Sequence, residues 1–459
     1  MTAAELSQAK VLVAGLGRSG LAAAELLCRH GAAVFATDVR PLAELPEAAA
    51  RLEQLRVPFA EQSPDAFAGK DLVVLSPGVP ADLDALAEVR RRGVPVIGEV
   101  ELAGWFLEGP IIGITGSNGK TTTTALAGHI LRECGVPAQV GGNIGDPPTN
   151  MVASSRPEQW NVLELSSFQL ETIERFRVEI AVALNVTPDH LDRHHTMEAY
   201  TAAKRRIFET QSEDGRAVLN ADDEACRRFG EATRRPPMWF SSTRRLEAGL
   251  WLEADSVFFN GRPLIAAAEI PLRGRHNVEN VMAAAAAAHL AGAPLDGIAA
   301  AIRTFPGVEH RLEFVRALDG VDYFNDSKAT NVDATLKAID AFAGGLWVIL
   351  GGKDKGSDYR PLREPLRRKA HAALLVGAAT PKIAGQLDGA VVLLDCRDIE
   401  TAVHAARRRA KPGDTVLLAP ACASFDQFTN FEHRGRVFKE IVRQLAADPL
   451  PVQEEPNCV

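Results

Sequence analysis

Several common features are scarce or missing in this chain of 459 residues. No apolar run approaches the ~20 residues of a membrane span, so we predict none. The six cysteines are scattered without a C-x-x-C pair, which disfavours a disulfide framework and a zinc ribbon. The first ten residues lack the charged-then-apolar pattern of a signal peptide. Basic residues are outnumbered 51 to 59, for a net charge of −8, which argues against a nucleic-acid partner. We therefore expect a reduced, cytoplasmic enzyme and a monomer.

Short apolar runs alternate with alanine-rich helical stretches along most of the chain. This alternation predicts parallel strands covered by helices. One series occupies residues 10–98, a second begins near Ile111, and a third follows the Pro- and Gly-containing stretch 305–311. We predict the α/β class, with three consecutive Rossmann-like, doubly wound domains and mostly parallel sheets. The predicted domains are 1–98, 99–307 and 308–459, with a frayed tail at 449–459.

A complete G-x-G-x-x-G motif, Gly15 to Gly20, follows the apolar strand Val11–Ala14, and Asp38 comes about twenty residues later. Glycines in this position let a pyrophosphate approach the backbone at a helix N-terminus, while the acid binds a ribose-type hydroxyl. The motif alone leaves three alternatives open: NAD or FAD, another nucleotide diphosphate, or plain strand–helix packing. An NAD-dependent dehydrogenase is therefore one hypothesis.

A second glycine-rich loop, residues 114–122, has the core G-x-x-G-K-T between a strand and a helix. The full P-loop pattern needs glycine where Ile114 stands, so this is a shortened variant. Its backbone amides can hold phosphate oxygens, Lys120 can neutralise the β/γ charge, and Thr121 is placed to ligate Mg²⁺. Glu164, which ends the strand Val162–Leu165, is a candidate metal ligand, with an ordinary surface acid as the alternative.

Two further groups of polar residues follow predicted strands. His190 and His194 stand at i, i+4 after the strand 180–186, but neither an H-E-x-x-H motif nor a third ligand is evident, so a zinc hydrolase is a minor alternative to substrate or metal contact. The loops 325–331, 351–356 and 420–428 suit a small anionic substrate, although solvated loops remain an alternative. Cys422 lacks a visible base and is expected to be a buried small residue.

The combination of motifs resembles the Mur ligase family over essentially the whole chain. The matching segments are TGSNGKTT, ELSSFQLE, NVTPDHLDRH, YTAAKRRIF, GRHNVEN, the pair His310-Arg311, NDSKATN, LGGKDKG and APACASFDQFTNFEHRG. NDSKATN and ACASFDQF are specific to members that add D-glutamate. The resemblance implies UDP-binding, central P-loop ATPase and amino-acid-binding domains in that order. It implies an ATP-dependent ligase that joins D-glutamate to UDP-N-acetylmuramoyl-L-alanine through an acyl phosphate and a tetrahedral intermediate, in peptidoglycan precursor synthesis.

Within the family another Mur ligase or a folylpolyglutamate synthase is the alternative. Outside it, the NAD-dependent dehydrogenase and a non-enzymatic nucleotide-sensing module remain.

The resemblance also implies site residues, in four groups. The UDP-substrate contacts are Gly17, Arg18, Ser19, Gly20, Asp38, Arg40, Ser76, Pro77, Gly78, Asn143 and Ser166. The ATP contacts are Gly116, Ser117, Asn118, Gly119, Lys120, Thr121, Thr122, Asn277, Asn280, Arg311, Asp326 and Lys328. The D-glutamate contacts are Thr330, Lys355, Ser424 and the backbone of Phe431. Two Mg²⁺ sites, which could also take Mn²⁺, involve Thr121, Glu164, His190 and Lys204 as a CO₂-derived carbamate; the catalytic residues are Lys120, His190 and Lys204.

Overall fold

The computed structural model describes the backbone of residues 3–446 and the side chains of residues 5–191 and 193–446. The predicted tail at 449–459 and Cys458 lie outside the described residues. The described chain contains three β-sheets and clusters into two compact units. The first unit extends to Ile270 and includes Val278–Phe305, while the second comprises Pro271–Asn277 and the residues from Pro306. The domain boundaries at residues 98 and 307 stay a prediction.

The first sheet has five parallel strands in the order β3-β2-β1-β4-β5. Its elements are β1 (Lys10–Ala14), α1 (Arg18–Arg29), β2 (Ala33–Asp38), α2 (Pro46–Leu55), β3 (Phe59–Glu61), β4 (Leu72–Leu75), α3 (Asp84–Arg91), β5 (Val96–Gly98) and α4 (Glu99–Gly104). The chain leaves β1 toward β2 on one side and later returns to β4 on the other. The carboxyl end of β1 is therefore a topological switch point, where ligands of such sheets bind.

The second sheet has nine strands in the order β14-β13-β12-β11-β10-β9-β6-β8-β7. It begins with β6 (Ile111–Thr115), α5 (Lys120–Glu133), β7 (Ala138–Gly142), α6 (Pro148–Met151), β8 (Trp160–Glu164), α7 (Ser167–Leu170), β9 (Ile180–Ala183), α8 (Leu191–His194), α9 (Met197–Glu209), β10 (Arg216–Asn220) and α10 (Glu224–Phe229). It continues with β11 (Met238–Ser241), β12 (Leu250–Glu253), β13 (Ser256–Phe259), β14 (Arg262–Ala266), α11 (Arg275–Leu290) and α12 (Leu295–Arg303). Pairing is parallel from β7 to β12, whereas β13 and β14 add an antiparallel edge.

The third sheet has six strands in the order β15-β16-β20-β17-β18-β19, of which β15 alone is antiparallel to its neighbour. Its elements are β15 (Glu313–Leu318), β16 (Val321–Asn325), α13 (Val332–Asp340), β17 (Leu346–Gly351), α14 (Arg363–Lys369), β18 (Ala370–Val376), α15 (Thr380–Leu387), β19 (Val392–Arg397), α16 (Ile399–Arg409), β20 (Thr415–Leu418) and α17 (Phe431–Gln444). Separate apolar clusters cover its two faces, as expected of a doubly wound sheet.

The predicted α/β class with mostly parallel sheets is confirmed. Seven strands of the described chain were not predicted, namely β3, β7, β11–β14 and β15, and four of them (β3, β7, β14 and β15) are edge strands of their sheets. Within the described part of the chain, no helix has the length and apolarity needed to cross a membrane.

Candidate active site

The glycine turn after β1 packs against the loop that follows β4. A Cβ atom on Gly20 would lie 1.8 Å from the Gly15 carbonyl oxygen, and one on Gly15 would lie 2.9 Å from Cβ of Ser76. Gly17 precedes the first turn of α1, and its missing side chain would point toward Ser76 Oγ at 4.0 Å. The structure therefore brings the predicted contacts Gly17–Gly20 and Ser76–Gly78 together at the N-terminus of α1, where backbone amides favour an anion.

Asp38 at the end of β2 orders this turn. Its carboxylate accepts hydrogen bonds from the Leu16 backbone amide at 2.8 Å and from the Arg40 amide and Nε at 3.0 and 3.3 Å. Burial opposes ionisation, but these hydrogen bonds outweigh it and lower the pKa of Asp38. The Arg40 side chain is half-exposed, so of these two predicted UDP-substrate contacts it is the more accessible.

Of three further predicted substrate contacts, Arg18 links the first and second sheets within the first unit, while Asn143 and Ser166 make contacts near the end of β8. Arg18 Nη2 donates to the Gly145 carbonyl oxygen at 2.5 Å. In the same loop, Asn143 Nδ2 donates to Glu164 Oε1 at 2.8 Å. Ser166 caps α7 in a capping box with Gln169. These contacts place the loop after β7 between the glycine turn of β1 and the carboxyl end of β8.

The phosphate loop connects β6 to α5, and Asn185 fixes its shape. The Asn118 amide donates to Asn185 Oδ1 at 2.9 Å, and Asn185 Nδ2 donates back to the Asn118 carbonyl at 3.1 Å. Ser117 Oγ lies 3.0 Å from the Tyr200 hydroxyl. Asn185 and Tyr200 therefore support the loop from β9 and α9, a role that the sequence analysis did not assign to them.

Two lysines converge on one carbonyl oxygen of this loop. Lys120 Nζ donates to the carbonyl oxygens of Gly116 and Ser117 at 2.8 and 3.0 Å, and Lys204 Nζ donates to the same Gly116 oxygen at 2.8 Å. Lys204 is 1% exposed. Burial, reinforced by the nearby Lys120 charge, lowers the pKa of Lys204 well below its usual value. This shift makes the neutral, nucleophilic amine of Lys204 more accessible than that of an exposed lysine.

The predicted metal ligands surround the same loop. Thr121 is buried in the first turn of α5, and Glu164 is 2% exposed at the end of β8, in register with Ile114 of β6. The His190 ring lies 6.4 Å from the Tyr200 ring, and Lys204 Nζ lies 4.5 Å from that same ring. A buried carboxylate and a hydroxyl are oxygen donors of the kind that Mg²⁺ prefers, whereas Lys204 becomes an oxygen donor only as a carbamate.

The structure does not assemble a zinc site from His190 and His194. His194 is buried, with Nε2 at 2.9 Å from Ser167 Oγ, while the His190 side chain is 46% exposed. Among the described residues, three ligand atoms of His, Cys, Asp or Glu lie within 4.8 Å of one another only at Glu309, His310 and Glu313. Lys439 forms ion pairs with both of those glutamates, so a cation already neutralises that cluster.

In the second unit, the three polar loops follow β16, β17 and β20, which are neighbours in the sheet. Backbone hydrogen bonds of 2.9 and 3.2 Å join Lys353 and Ala423, and the Ala421 amide donates to the Ala329 carbonyl oxygen at 2.9 Å. The loops 325–331, 351–356 and 420–428 therefore converge on one edge of the third sheet. Cys422 is buried, as expected, with Sγ at 3.0 Å from the Tyr359 hydroxyl.

The predicted D-glutamate contacts lie on these loops. Ser327 Oγ donates to the Phe431 carbonyl oxygen at 2.8 Å, which joins the first loop to the start of α17. Lys328 Nζ lies 5.5 Å from the centre of the Phe431 ring. Thr330 is half-buried beside Lys328, Ser424 is buried and Lys355 is exposed. The edge thus carries cations, a hydroxyl and a helix N-terminus, which together suit an anionic ligand.

The remaining ATP contacts lie in two places. Asn280 lies at the phosphate loop, since its Oδ1 would be 2.2 Å from a Cβ atom on Gly119. Asn277 and Arg311 instead line a cavity of about 780 Å³ in the second unit. Arg311 Nε is buried without a hydrogen-bond partner among the described residues. Asp326 is 3% exposed, and burial raises its pKa to about 6.

The fold and these loops define an α/β protein with a glycine-rich loop before α5, a glycine turn before α1 and a polar edge on the third sheet. The chain belongs to the Mur ligase family. Three family models match it: the Mur ligase MurD-like N-terminal domain over residues 9–98, the Mur ligase middle domain over 114–288, and the glutamate ligase domain over 310–422. The family predicted from the motifs is confirmed.

Two relatives named UDP-N-acetylmuramoylalanine--D-glutamate ligase match nearly the whole chain. The protein from Solibacter usitatus is 61% identical, covering 96% of this chain and 99% of the relative. The one from Acidobacterium capsulatum is 52% identical, covering 95% and 97%. Among solved structures, UDP-N-acetylmuramate-alanine ligase MurC from Thermotoga maritima has a TM-score of 0.60 at 19% identity, covering 95% of this chain and 99% of that one. MurF ligase from the same organism, in complex with ADP, has a TM-score of 0.61 at 17% identity, covering 90% and 95%, so both structures support the fold alone.

Proposed function

We propose that this chain is an ATP-dependent ligase that joins D-glutamate to UDP-N-acetylmuramoyl-L-alanine, with release of ADP and phosphate, in peptidoglycan precursor synthesis. The observation that carries the proposal is the near-full-length identity of 61% to a relative of that name. The phosphate loop supports the ATP dependence, and the polar edge of the third sheet supports a dicarboxylate substrate.

The chemistry requires activation of a carboxylate before an amine can attack it. The L-alanine carboxylate takes the γ-phosphoryl group of ATP, giving an acyl phosphate and ADP. The neutral amine of D-glutamate then attacks, and the tetrahedral intermediate expels phosphate. Lys120 and the loop amides offset the repulsion between the two reacting anions. Either His190 or a phosphate oxygen of the substrate accepts the amine proton.

Thr121 and Glu164 would hold one magnesium ion, and His190 with carbamylated Lys204 would hold the second. Bound magnesium would supply charge neutralisation at the transferred phosphoryl group. The carbamate forms when the neutral Lys204 amine adds to CO₂, making an N–C bond and releasing one proton. The lowered pKa of Lys204 supports this step, because only the unprotonated amine is nucleophilic.

The first sheet is proposed to bind the UDP group through residues 17–20, Asp38, Arg40 and Ser76–Gly78, with Asn143 and Ser166 toward the muramoyl part. Asn277, Asn280, Arg311, Asp326 and Lys328 complete the proposed ATP site. Thr330, Lys355, Ser424 and the Phe431 backbone are proposed to bind the carboxylates of D-glutamate. We propose that the chain acts in the cytoplasm, as a monomer; its net charge of −8 disfavours a nucleic-acid partner.

Phosphate release from ATP tests the proposal. We expect release only when both UDP-N-acetylmuramoyl-L-alanine and D-glutamate are present. Release with L-glutamate and a folate, or with another amino acid in place of D-glutamate, would favour a different family member. Hydride transfer without ATP would favour a dehydrogenase.

A matched pair of lysine variants tests the phosphate loop. Lys120→Ala should lower turnover about a hundredfold, since one lost charge contact at the transferred phosphoryl group is worth roughly 3 kcal/mol. Lys411→Ala, which removes an exposed lysine from a turn, should leave turnover unchanged. Near-normal turnover in Lys120→Ala would overturn the assignment of the phosphate loop.

A further inference from the structure

Arg434, in the first turns of α17, is a buried cation. It is 1% exposed, although arginine is almost never fully buried without a charged partner. Its four hydrogen bonds go to neutral oxygens, and no carboxylate among the described residues pairs with it. Burial lowers the pKa of Arg434 to about 10, partly opposed by Cys422 and Asp426. At neutral pH the guanidinium is therefore charged, and among the described residues no carboxylate lies within ion-pair distance of it.

The guanidinium joins two of the converging loops. Nε donates to Ser327 Oγ at 2.9 Å, and Nη2 donates to the Ser327 carbonyl oxygen at 2.8 Å. Nη1 donates to the carbonyl oxygens of Cys422 and Ala423 at 3.1 and 3.3 Å. Ala423 in turn pairs with Lys353 through backbone hydrogen bonds, so the fixed arrangement extends to the third loop.

These loops carry the proposed D-glutamate contacts, which lie within one or a few residues of the oxygen atoms that accept hydrogen bonds from Arg434. Ser424 directly follows Ala423, Thr330 lies three residues after Ser327, and Ser327 Oγ also donates to the Phe431 carbonyl oxygen. Arg434 is thus hydrogen-bonded to the scaffold of the site, where its side chain makes four hydrogen bonds. A dianion bound on these loops would supply the opposite charge that the guanidinium lacks.

We propose that Arg434 is a positioning residue for the amino-acid substrate, holding the loops 325–331 and 420–428 in their binding arrangement and supplying buried positive charge for a dicarboxylate. The proposal rests on the proposed D-glutamate ligase function. It predicts two separable contributions. The planar guanidinium, with its N–H groups in fixed directions, determines the loop geometry, while its charge determines the preference for a dianion.

Two substitutions separate these contributions. Arg434→Lys keeps the positive charge but loses the planar set of N–H donors, whereas Arg434→Met loses both. We expect Arg434→Met to raise KM for D-glutamate on the order of 50-fold, as expected for loss of charge-assisted interactions, while KM for ATP changes less than about twofold. Arg434→Lys should raise KM for D-glutamate by an intermediate factor. Arg436→Met, two residues along the same helix and exposed, is the matched control and should leave every constant unchanged.

Substrate charge provides a readout that a purely structural role would not change. D-glutamine has one carboxylate fewer than D-glutamate, so the preference for D-glutamate over D-glutamine should fall about tenfold in Arg434→Met and be retained in Arg434→Lys. Parallel rises in KM for ATP and D-glutamate, or an unchanged preference in Arg434→Met, would overturn the proposal. If Arg434→Met fails to fold, as judged by circular dichroism, the Arg434→Lys variant and Ser327→Ala, which removes the acceptor of Nε, provide the same KM comparison.

Binding separates failure of this inference from failure of the proposed function. If the unaltered chain releases no phosphate with D-glutamate, the proposed function is wrong. The Tm shift caused by D-glutamate alone then tests Arg434: a shift in the unaltered chain that Arg434→Met loses and Arg436→Met keeps supports the inference. No shift in the unaltered chain, or the same shift in all three proteins, overturns it.

Discussion

Glu99, the first residue of α4, is a buried acid whose ionisation should make the stability of the protein depend on pH. Its Oε1 accepts hydrogen bonds from the Thr149 amide at 2.8 Å and from Thr149 Oγ1 at 2.7 Å. Its Oε2 is buried and has no hydrogen-bond partner among the described residues. Burial raises the pKa of Glu99 to about 7, and the two hydrogen bonds from Thr149 offset only part of this effect.

The sign and size of the effect follow from linkage between proton binding and folding. The pKa of an ordinary exposed glutamate is 4.5, whereas the pKa of Glu99 in the folded protein is about 7. Between these two pH values the folded state therefore holds a proton that the unfolded state has released. The contribution of Glu99 to stability is therefore fully present below pH 4.5 and is lost as the pH rises through about 7. The difference between the two pKa values corresponds to about 3 kcal/mol.

Glu99→Gln, which stays neutral, should remove this dependence. Urea unfolding at pH 5 and pH 8 measures it: relative to the unaltered chain, the variant should gain about 2.5 kcal/mol between the two pH values, since part of the full effect lies below pH 5. Glu101→Gln is the matched control on the same helix, because the Glu101 carboxylate accepts hydrogen bonds from the backbone amides of residues 174–176. That variant should lose stability at both pH values. If the unfolding free energies of Glu99→Gln and of the unaltered chain changed by the same amount between pH 5 and pH 8, the reasoning would be refuted.

Two further predictions concern the phosphate loop. Lys204→Ala should lower turnover about 10- to 100-fold, as for loss of a group that supports a metal site. Acetate should restore part of the turnover by replacing the carbamate oxygens. Full turnover without acetate would contradict the proposal that Lys204 is carbamylated. Gly119→Ala should lower the free energy of unfolding by roughly 3 kcal/mol, because φ is +88° and the new Cβ would lie 2.2 Å from Asn280 Oδ1. Gly69→Ala, with φ of +63° and open space around it, should cost only about 1 kcal/mol, and equal losses in urea unfolding would argue against the clash at Asn280.

Long apolar runs made most of the buried parallel strands predictable, whereas several partly exposed strands toward the sheet edges were missed. The strands β11–β14 are only partly buried, so polar residues interrupt their apolar runs and leave no clear pattern. A local signal was nevertheless present, since Asn260-Gly261 joins β13 to β14 and Asp319-Gly320 joins β15 to β16, all with positive φ. Asn-Gly and Asp-Gly between apolar runs are the strongest short-range hairpin signals, and reading them would have added both edges.

The candidate site was predictable where one motif supplies all the atoms of a loop, and not where the partner comes from a distant segment. The phosphate loop and the sheet-end loops follow from local sequence and parallel topology. In contrast, Asn185 supports Asn118 from 67 residues away, and Arg434 reaches Ser327 across 107 residues. Side-chain contacts at such separations depend on how helices pack on the sheets, which residue spacing alone does not specify.

The way Arg434 is bonded has a consequence for redesigning amino-acid selectivity. Three of its four hydrogen bonds go to main-chain oxygens and one to a serine hydroxyl, so it constrains the path of the loops and not the identity of most side chains on them. Thr330 and Ser424 can therefore be varied together in a library while the backbone that presents them is retained. Such a library would explore new acceptor amino acids without first having to rebuild the scaffold.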